Sequence, residues 1–329
     1  MLTLRSRRSA VLAACSVLVL LAGSAQADAA ELPGASARPL AVPATLVGGD
    51  GPTSRIAIFS TATGRVVRYL TPLNRSLDEG LPVFSANRRA VLFVRDTGQR
   101  SPSAPRVWGT FAVKATGGPA KEIRTALNWG AQPMGVGPHG AWAGMSRGQA
   151  TDRIRAVNAR GQSAWLAGQL SFEIELLAWA PDGLHLALGR GPAAPTEPNQ
   201  VWLLDTRLFA GTSGSASGSY TVVPCPPALP GCGLRGVGYA PDGSLYSVAE
   251  NAGRTRSALV RFSPAAGRTS VVVPLPAVAR TYRVFVAPSG AVLVSADANQ
   301  VVMTSSAFVA IWDGIRLRRL SRSILQAAW

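Results

Sequence analysis

The sequence contains few cysteine, lysine and histidine residues, and it lacks any stretch with a clear helical period. Of its 329 residues, three are cysteine and two are histidine. Lys114 and Lys121 are the only lysines, so arginine supplies almost all of the positive charge. No window of helical length shows apolar residues that recur with a period of 3.6. Alternating and Val-rich segments are frequent, so the sequence predicts an all-β chain.

Acidic residues are also scarce, and the chain is strongly basic. It has 17 acidic residues against 33 basic ones, which gives a formal net charge of +16. A basic surface can meet nucleic acid, anionic lipid or an anionic cell-wall polymer. The basic residues are scattered along the chain, whereas nucleic-acid binding requires a clustered patch. No nucleic-acid partner is therefore expected, and the abundance of Ala, Gly, Pro and Arg also fits a GC-rich coding sequence.

Residues 1–27 have the organisation of a cleavable signal peptide. Three of residues 5–8 are arginine, residues 10–22 are apolar, and residues 25–27 read Ala-Gln-Ala, a small-x-small cleavage site. Cleavage after residue 27 lowers the formal charge from +16 to +13, because three arginines leave with the leader. The apolar run is too short for a permanent span, so no transmembrane segment is expected after cleavage. An uncleaved anchor is the alternative.

Two features of the leader are compatible with other export routes. Residues 12–15 match a bacterial lipobox, which would make Cys15 a lipid attachment point. The apolar run continues for seven residues past Cys15, whereas a lipobox normally closes such a run. Arg7-Arg8 leaves a twin-arginine route open beside the general one. With any of these routes, the protein is expected outside the cytoplasm, secreted or associated with a bacterial cell envelope.

Cysteine usage agrees with export. Once the leader is removed, only Cys225 and Cys232 remain, separated by Pro-Pro-Ala-Leu-Pro-Gly. A close, even pair outside the cytoplasm predicts one disulfide that closes a small loop. No histidine lies near them to complete a metal site, and the alternative is two free thiols.

A repeated four-residue turn organises the rest of the chain. Residues 180–183 and 240–243 read Ala-Pro-Asp-Gly, and residues 287–290 read Ala-Pro-Ser-Gly. Degenerate copies lie at residues 137–140 and 85–88. In such a turn proline sets φ, the aspartate accepts backbone N–H bonds, and glycine takes the left-handed corner. The residues to which we assign this structural role are Pro181, Asp182, Gly183, Pro241, Asp242, Gly243, Pro288 and Gly290.

The turn copies alternate with six hairpins. In each hairpin, two strands are joined by a turn that contains glycine. The copies begin 52, 43, 60 and 47 residues apart, which is close to the length of a four-stranded propeller blade. Residues 325–329 resemble residues 176–179, so the chain stops after the first strand of a sixth repeat. We therefore predict a six-bladed β-propeller over residues 44–329, closed by the C-terminal strand joining the N-terminal blade. Residues 28–43, rich in Ala and Pro, are predicted to be a flexible tether.

These repeats resemble the Trp-Ser-Pro-Asp-Gly repeats of the TolB-like family. The segment 179–183, Trp-Ala-Pro-Asp-Gly, is the nearest copy, followed by Tyr-Ala-Pro-Asp-Gly at 239–243. Residues 200–205 look like the third blade strand of that family. The resemblance covers most of residues 50–329 and implies a six-bladed propeller in an exported bacterial protein, commonly an interaction platform. Asn87 and His139 replace the turn aspartate in two copies, which puts any shared binding site in doubt.

Motifs that could carry catalysis have structural explanations. Residues 144–148 match Gly-x-Ser-x-Gly, but no helix follows, as a nucleophile elbow requires. Residues 135–140 match Gly-x-Gly-x-x-Gly without the helix that would bind a pyrophosphate. His139 and His185 have no metal-ligand partners at a suitable spacing, and the repeat aspartates fit turn capping better than calcium binding. No catalytic, metal-binding or cofactor-binding residue is assigned, and no cofactor is expected.

Two functional hypotheses remain. The first is a monomeric, non-catalytic exported scaffold whose partner is another envelope protein or an anionic cell-wall polymer. The alternative is a metal-dependent hydrolase or lactonase-like enzyme, because six-bladed propellers of the lactonase type hold a calcium ion in the central channel. The side chains that could supply such a site are Glu173, Glu175, Asn199, Glu250, Asn251 and Asn299.

Overall fold

The structure is a computed structural model, and it describes most of the chain beyond the predicted leader. The described residues are 39–50, 55–73, 79–85, 88–96, 108–123, 132–147, 152–166, 174–191, 197–208, 220–276, 281–297, 307–320 and 324–329. The predicted signal peptide, Cys15 and most of the predicted tether lie outside these residues. In the part of the chain that is described, no helix is both long and apolar enough to cross a membrane.

Within the described residues, 24 strands form six four-stranded antiparallel sheets. Sheet 1 contains β24 (Ile324–Ala328), β1 (Thr45–Asp50), β2 (Arg55–Ser60) and β3 (Val66–Tyr69). Sheet 2 contains β4 (Glu79–Phe84), β5 (Ala90–Asp96), β6 (Trp108–Lys114) and β7 (Lys121–Glu122). Sheet 3 contains β8 (Gln132–Val136), β9 (Trp142–Arg147), β10 (Asp152–Val157) and β11 (Ser163–Leu166).

The remaining sheets continue in chain order. Sheet 4 contains β12 (Ile174–Trp179), β13 (His185–Arg190), β14 (Gln200–Asp205) and β15 (Tyr220–Val222). Sheet 5 contains β16 (Gly233–Tyr239), β17 (Leu245–Glu250), β18 (Ser257–Ser263) and β19 (Arg268–Pro274). Sheet 6 contains β20 (Thr281–Val286), β21 (Val292–Asp297), β22 (Phe308–Trp312) and β23 (Leu317–Arg319). Single 3-10 turns lie at Pro138–Gly140 and Thr206–Leu208.

The six predicted hairpins are the third and fourth strands of the six sheets, so this prediction is confirmed. The repeated turns join the first and second strands of sheets 2 to 6. The second strands of sheets 4 and 5 are largely buried, since the four central residues of β13 and every residue of β17 are buried. This pattern arises because both faces of a sheet are covered by its neighbours, which removes the need for alternating polar positions.

The sheets pack face to face in chain order, as the blades of a β-propeller do. The first strands of neighbouring sheets contact each other in five pairs: β24 with β4, β8 with β12, β12 with β16, β16 with β20, and β20 with β24. The apolar clusters lie between sheets: one joins Val248 and Leu259 of sheet 5 to Tyr282 and Phe308 of sheet 6. The fold is therefore an all-β propeller with four-stranded blades, as predicted at this level.

Glycines permit the closest approach between two sheets. A Cβ built on Gly236 would lie 2.8 Å from the carbonyl oxygen of Tyr282, and one on Gly238 would lie 2.6 Å from that of Val284. Both distances are too short for any other residue. The inner strands β16 and β20 therefore pack backbone to backbone.

The last strand of the chain pairs with the first one. Strand β24 is antiparallel to β1, with Val47 opposite Ala328 and Asp50 opposite Ile324. On its other side β24 contacts β20, β21 and β22 of sheet 6. The resemblance between the two chain segments also holds in the structure. Trp179 is the last residue of β12 and Trp329 directly follows β24, the first strands of sheets 4 and 1, and the two residues are 7% and 8% exposed.

The last residues of the predicted tether contact the sheets. The backbone N–H of Leu40 donates to the carbonyl of Asp313 at 2.6 Å, and the hydroxyl of Thr61 donates to the carbonyl of Pro43 at 2.7 Å. Leu40 and Val42 pack against the apolar cluster shared by sheets 6 and 1. Leu40 fits because Gly314 has no Cβ, which would otherwise lie 2.9 Å from Cγ of Leu40. Apolar side chains at alternate positions thus anchor residues 40–43.

Candidate functional site

The two ends of the sheets differ in their connections. The end that carries the repeated turns, and also the turns between third and fourth strands, is called the turn face. The opposite end carries the connections between second and third strands and between successive sheets, and it is called the loop face. The repeated motif of the sequence, which contains a carboxylate, lies on the turn face.

The aspartates of the repeated turns accept backbone N–H groups within their own turns. Oδ1 of Asp182 accepts the backbone N–H of Leu184 at 2.8 Å. Oδ1 of Asp242 accepts that of Ser244 at 3.0 Å. The corner glycines Gly183, Gly243 and Gly290 have φ values of 64°, 79° and 88°, a region that glycine enters without steric cost. In each turn this glycine donates its N–H to the carbonyl of the alanine that precedes the proline, Ala180, Ala240 or Ala287.

The remaining oxygens of these aspartates bind neighbouring side chains. Oδ2 of Asp182 lies 2.6 Å from Nδ1 of His185, and Oδ2 of Asp242 accepts from Nη2 of Arg261 at 2.5 Å. Partial burial raises the pKa of each carboxyl, but the hydrogen bonds from Leu184 and His185, or from Ser244 and Arg261, outweigh it and hold both pKa values below the ordinary one. The aspartates and His185 are thus engaged in local bonds.

The degenerate turns also contain a residue with positive φ. Arg88 occupies the corner position in sheet 2 with φ of 54°, whereas in sheet 3 the residue with φ of 54° is His139, one position before the corner. His139 is exposed. Asn87 and Gly148 lie outside the described residues. Ser146 belongs to β9, paired with Arg153 of β10, so its setting is a strand interior and not a nucleophile elbow.

Cys225 and Cys232 are joined by a disulfide, with Cα atoms 5.8 Å apart. The loop that they close connects β15, the outermost strand of sheet 4, to β16, the innermost strand of sheet 5. Cys232 is buried among Val223, Leu234 and Val260, in the cluster between these sheets. The disulfide therefore secures a crossing between two blades.

A buried polar cluster lies at the loop-face ends of the inner strands of sheets 5 and 6. Nε of Arg235, on β16, lies 3.1 Å from Oε2 of Glu250, on β17, with side chains 7% and 3% exposed. Nη2 of Arg235 donates to Oδ1 of Asn199, from sheet 4, at 3.3 Å. The side chain of Tyr282, on β20, hydrogen-bonds to the Glu250 carboxylate. The cluster thus joins three sheets.

Glu250 is the member of this cluster with unused bonding capacity. Its Oε1 is buried and accepts no hydrogen bond from any residue that the structure describes. Burial raises the pKa of Glu250 above its ordinary value, although Arg235, Tyr282 and Arg254 act in the opposite direction. A buried carboxylate oxygen without a donor is costly, and such a group is a marker of binding or catalytic sites.

A second buried arginine lies on the neighbouring inner strand. Arg283 of β20 is 8% exposed. It pairs with Ser295 four residues before its turn. Arg235 occupies the corresponding position of β16 once the bulge at Gly236 is allowed for. Two buried arginines thus occupy equivalent positions on the inner strands of sheets 5 and 6.

Two described asparagines among the residues considered for a channel metal, Asn199 and Asn251, bond to other protein groups. Oδ1 of Asn199 faces Arg235, and Oδ1 of Asn251 accepts the N–H groups of Thr255 and Arg256, both at 2.9 Å. The side chain of Glu175 and the whole of Glu173 and Asn299 lie outside what the structure describes. Among the described residues, no group of three His, Cys, Asp or Glu side chains could hold a metal ion.

Sequence reasoning selected Glu250 and Asn199 but missed Arg235, Tyr282 and Arg283. A signal was present, since an arginine interrupts the otherwise apolar inner strand four or five residues before the turn at residues 240 and 287. The spacing differs by one because of the bulge at Gly236, which hides the equivalence.

Comparisons with known proteins agree on the class of fold. No protein-family model matches the chain, and a search of curated proteins finds no match. Among solved structures, TolB from Acinetobacter baumannii superimposes with a TM-score of 0.60 at 13% identity, over 87% of this chain and 65% of that one. A puromycin hydrolase superimposes with a TM-score of 0.50 at 19% identity, over 85% of this chain and 44% of that one.

These likenesses define a β-propeller with four-stranded blades. More particularly, the protein has a TolB-like propeller fold. The chain spans less than two thirds of the length of either solved structure. At such low identity the similarity establishes the fold and nothing further.

Proposed function

We propose that the protein is an exported, non-catalytic β-propeller that serves as a binding scaffold in the cell envelope. We also propose that its six sheets form a closed six-bladed ring, completed by β24 between β1 and sheet 6. The pairing of β24 with β1 supports this arrangement, since closure removes the sheet edges that would otherwise invite aggregation. The predicted signal peptide and the disulfide support a location outside the cytoplasm.

The observation that carries the binding role is the orphaned carboxylate oxygen of Glu250. A partner that reaches the loop face could donate an N–H or O–H group to this oxygen and so compensate its burial. A metal ion is a poorer occupant, because the guanidinium of Arg235 lies 3.1 Å from the other oxygen of the same carboxylate. A segment of another envelope protein, which presents many neutral donors, fits this chemistry better. No comparable observation favours the metal-dependent hydrolase.

The proposal is tested by affinity capture from the solubilised envelope of the producing cell. The bait is the purified protein, compared with a Glu250→Gln variant and with Glu122→Gln, which removes an exposed carboxylate from β7. A partner held by the protein and by Glu122→Gln, but depleted with Glu250→Gln, supports the scaffold. Equal capture by all three refutes the loop-face site. Bound metal with hydrolytic activity that is lost on chelation refutes the non-catalytic role.

A further inference from the structure

Basic side chains on the turn face are concentrated on three consecutive sheets. They belong to the turns and strand ends of sheets 6, 1 and 2, and we call them the basic row: Arg316, Arg318, Arg65, Arg68, Arg88 and Lys114. All are exposed except Arg318, which is half-buried. The described residues of the same turns, within 60–68, 85–90, 112–118 and 313–318, contain one acidic residue, Asp313. The row therefore has a large local excess of positive charge.

Hydrogen bonds between sheets hold the row together. Nη2 of Arg318 donates to the carbonyl of Thr61 at 2.6 Å, and Nη1 donates to that of Ala62 at 3.0 Å. These bonds bring sheet 6 against the turn that carries Arg65. On the other side, Nη1 of Arg68 donates to the carbonyl of Thr116 at 2.9 Å, beside Lys114 of sheet 2. The cations of three sheets thus follow one another along the face.

The acceptors in these bonds are neutral carbonyl groups, so the arginines keep their full charge. Sheets 4 and 5 show the opposite arrangement on the same face. Arg207 pairs with Asp205 at 2.5 Å, and Arg261 pairs with Asp242 at 2.5 Å. Carboxylates neutralise these two cations, whereas in the row only Arg316 pairs with a carboxylate, Asp313, at 3.5 Å among the described residues.

We propose that the basic row binds a linear polyanion with repeated phosphate groups, of the kind found in anionic cell-wall polymers. Guanidinium groups match phosphate oxygens in charge and geometry. A chain with anions at regular intervals can contact the cations of sheets 6, 1 and 2 in succession, and such binding is strengthened by multivalency. This surface is separate from the loop-face cluster and does not depend on it.

The experiment measures binding of the purified full-length protein to long-chain inorganic polyphosphate over a range of salt concentrations. The test variant is Arg65→Glu with Lys114→Glu, two exposed positions on sheets 1 and 2. The matched control is Arg160→Glu with Arg268→Glu, which makes the same charge change at exposed turn-face positions of sheets 3 and 5. Circular dichroism and thermal melting establish that both variants fold.

We expect the row variant to lose roughly tenfold or more in affinity, with the slope of log affinity against log salt reduced by about two, and the control to retain most of its affinity. A milder variant, Arg65→Gln with Lys114→Gln, should give an intermediate loss. Equal losses in the row variant and the control would show that only net charge matters and would overturn the proposal. So would binding confined to vesicles of anionic phospholipid, or no binding to polyphosphate.

Discussion

Gly137 lies directly against the indole of Trp179 in the next sheet. A Cβ built on Gly137 would come within 2.5 Å of Cγ of Trp179 and within 2.7 Å of its Cβ. The φ of Gly137 is −100°, which any residue can adopt. Glycine is therefore needed here for the contact between sheets 3 and 4, and not for the backbone conformation.

The first prediction concerns this contact. Gly137→Ala should lower the free energy of unfolding by about 1–3 kcal/mol, because the added methyl group overpacks a buried interface. Urea denaturation measures the change. Gly253→Ala is the control, since the nearest atoms to a Cβ at that position would lie 3.8 Å and 3.9 Å away. Equal stability of the two variants would contradict the role of the Gly137–Trp179 contact.

The second prediction concerns pH. Burial raises the pKa of Glu250 above its ordinary value of 4.5, so the folded protein holds this proton more tightly than the unfolded chain. The resulting stabilisation is present below about pH 4.5 and is lost as the pH rises through the pKa of the folded state. We therefore expect the free energy of unfolding of the protein, relative to Glu250→Gln, to fall as the pH increases from 4.5.

Urea denaturation of both proteins between about pH 4 and 8 checks this expectation. Glu122→Gln serves as the control, because that carboxylate is exposed. A difference between the protein and Glu250→Gln that stays constant with pH would show that Glu250 titrates normally.

The third prediction concerns β24. Deletion of residues 324–329 removes the strand paired with β1 and the buried side chains of Ile324 and Trp329. Loss of the indole alone should cost about 3–5 kcal/mol. Differential scanning calorimetry should therefore show a much lower melting temperature for the deletion and for Trp329→Ala, with a smaller decrease for Trp329→Phe. An unchanged melting temperature in the deletion would rule out ring closure by this strand.

The fourth prediction concerns the disulfide. Replacing Cys225 and Cys232 by serine should lower the free energy of unfolding by about 2–3 kcal/mol, the amount expected for a closed loop of this size. Reducing agent should destabilise the unmodified protein similarly and leave the double variant unaffected. Stability that is indifferent to both treatments would show that the thiols are not joined in the purified protein.

The strands and turns could be read from the sequence because their causes are local. Residues 180–183 contain every group that the turn uses, and alternating apolar residues mark the strands on either side. The degenerate copies at residues 85–88 and 137–140 were also recognisable, although the positive φ falls on Arg88 at the corner of one and on His139, at the aspartate position, in the other. The contacts of Leu40 could not be predicted from the sequence, because they depend on space beside Gly314, which is distant in sequence.

The polar cluster could not be predicted from the sequence for a similar reason. Glu250, Arg235 and Tyr282 belong to different strands, and Asn199 belongs to another sheet. The bulge at Gly236 shifts Arg235 out of register with Arg283 along the sequence. The pairing of β16 with β17 and the packing of sheet 5 against sheets 4 and 6 bring these side chains to one place.

The sequence by itself determined the β-structure, the hairpins and the corner residues of the turns, since these follow from interactions between residues close in the chain. The tertiary structure alone decided which side chains meet between sheets. In the fold, Glu250 is buried beside Arg235, and one of its carboxylate oxygens has no donor among the described residues. Arginines that are scattered in the sequence form a row on sheets 6, 1 and 2. Both features arise because residues far apart in sequence lie on adjacent sheets. The distance between such residues depends on how closely the sheets pack.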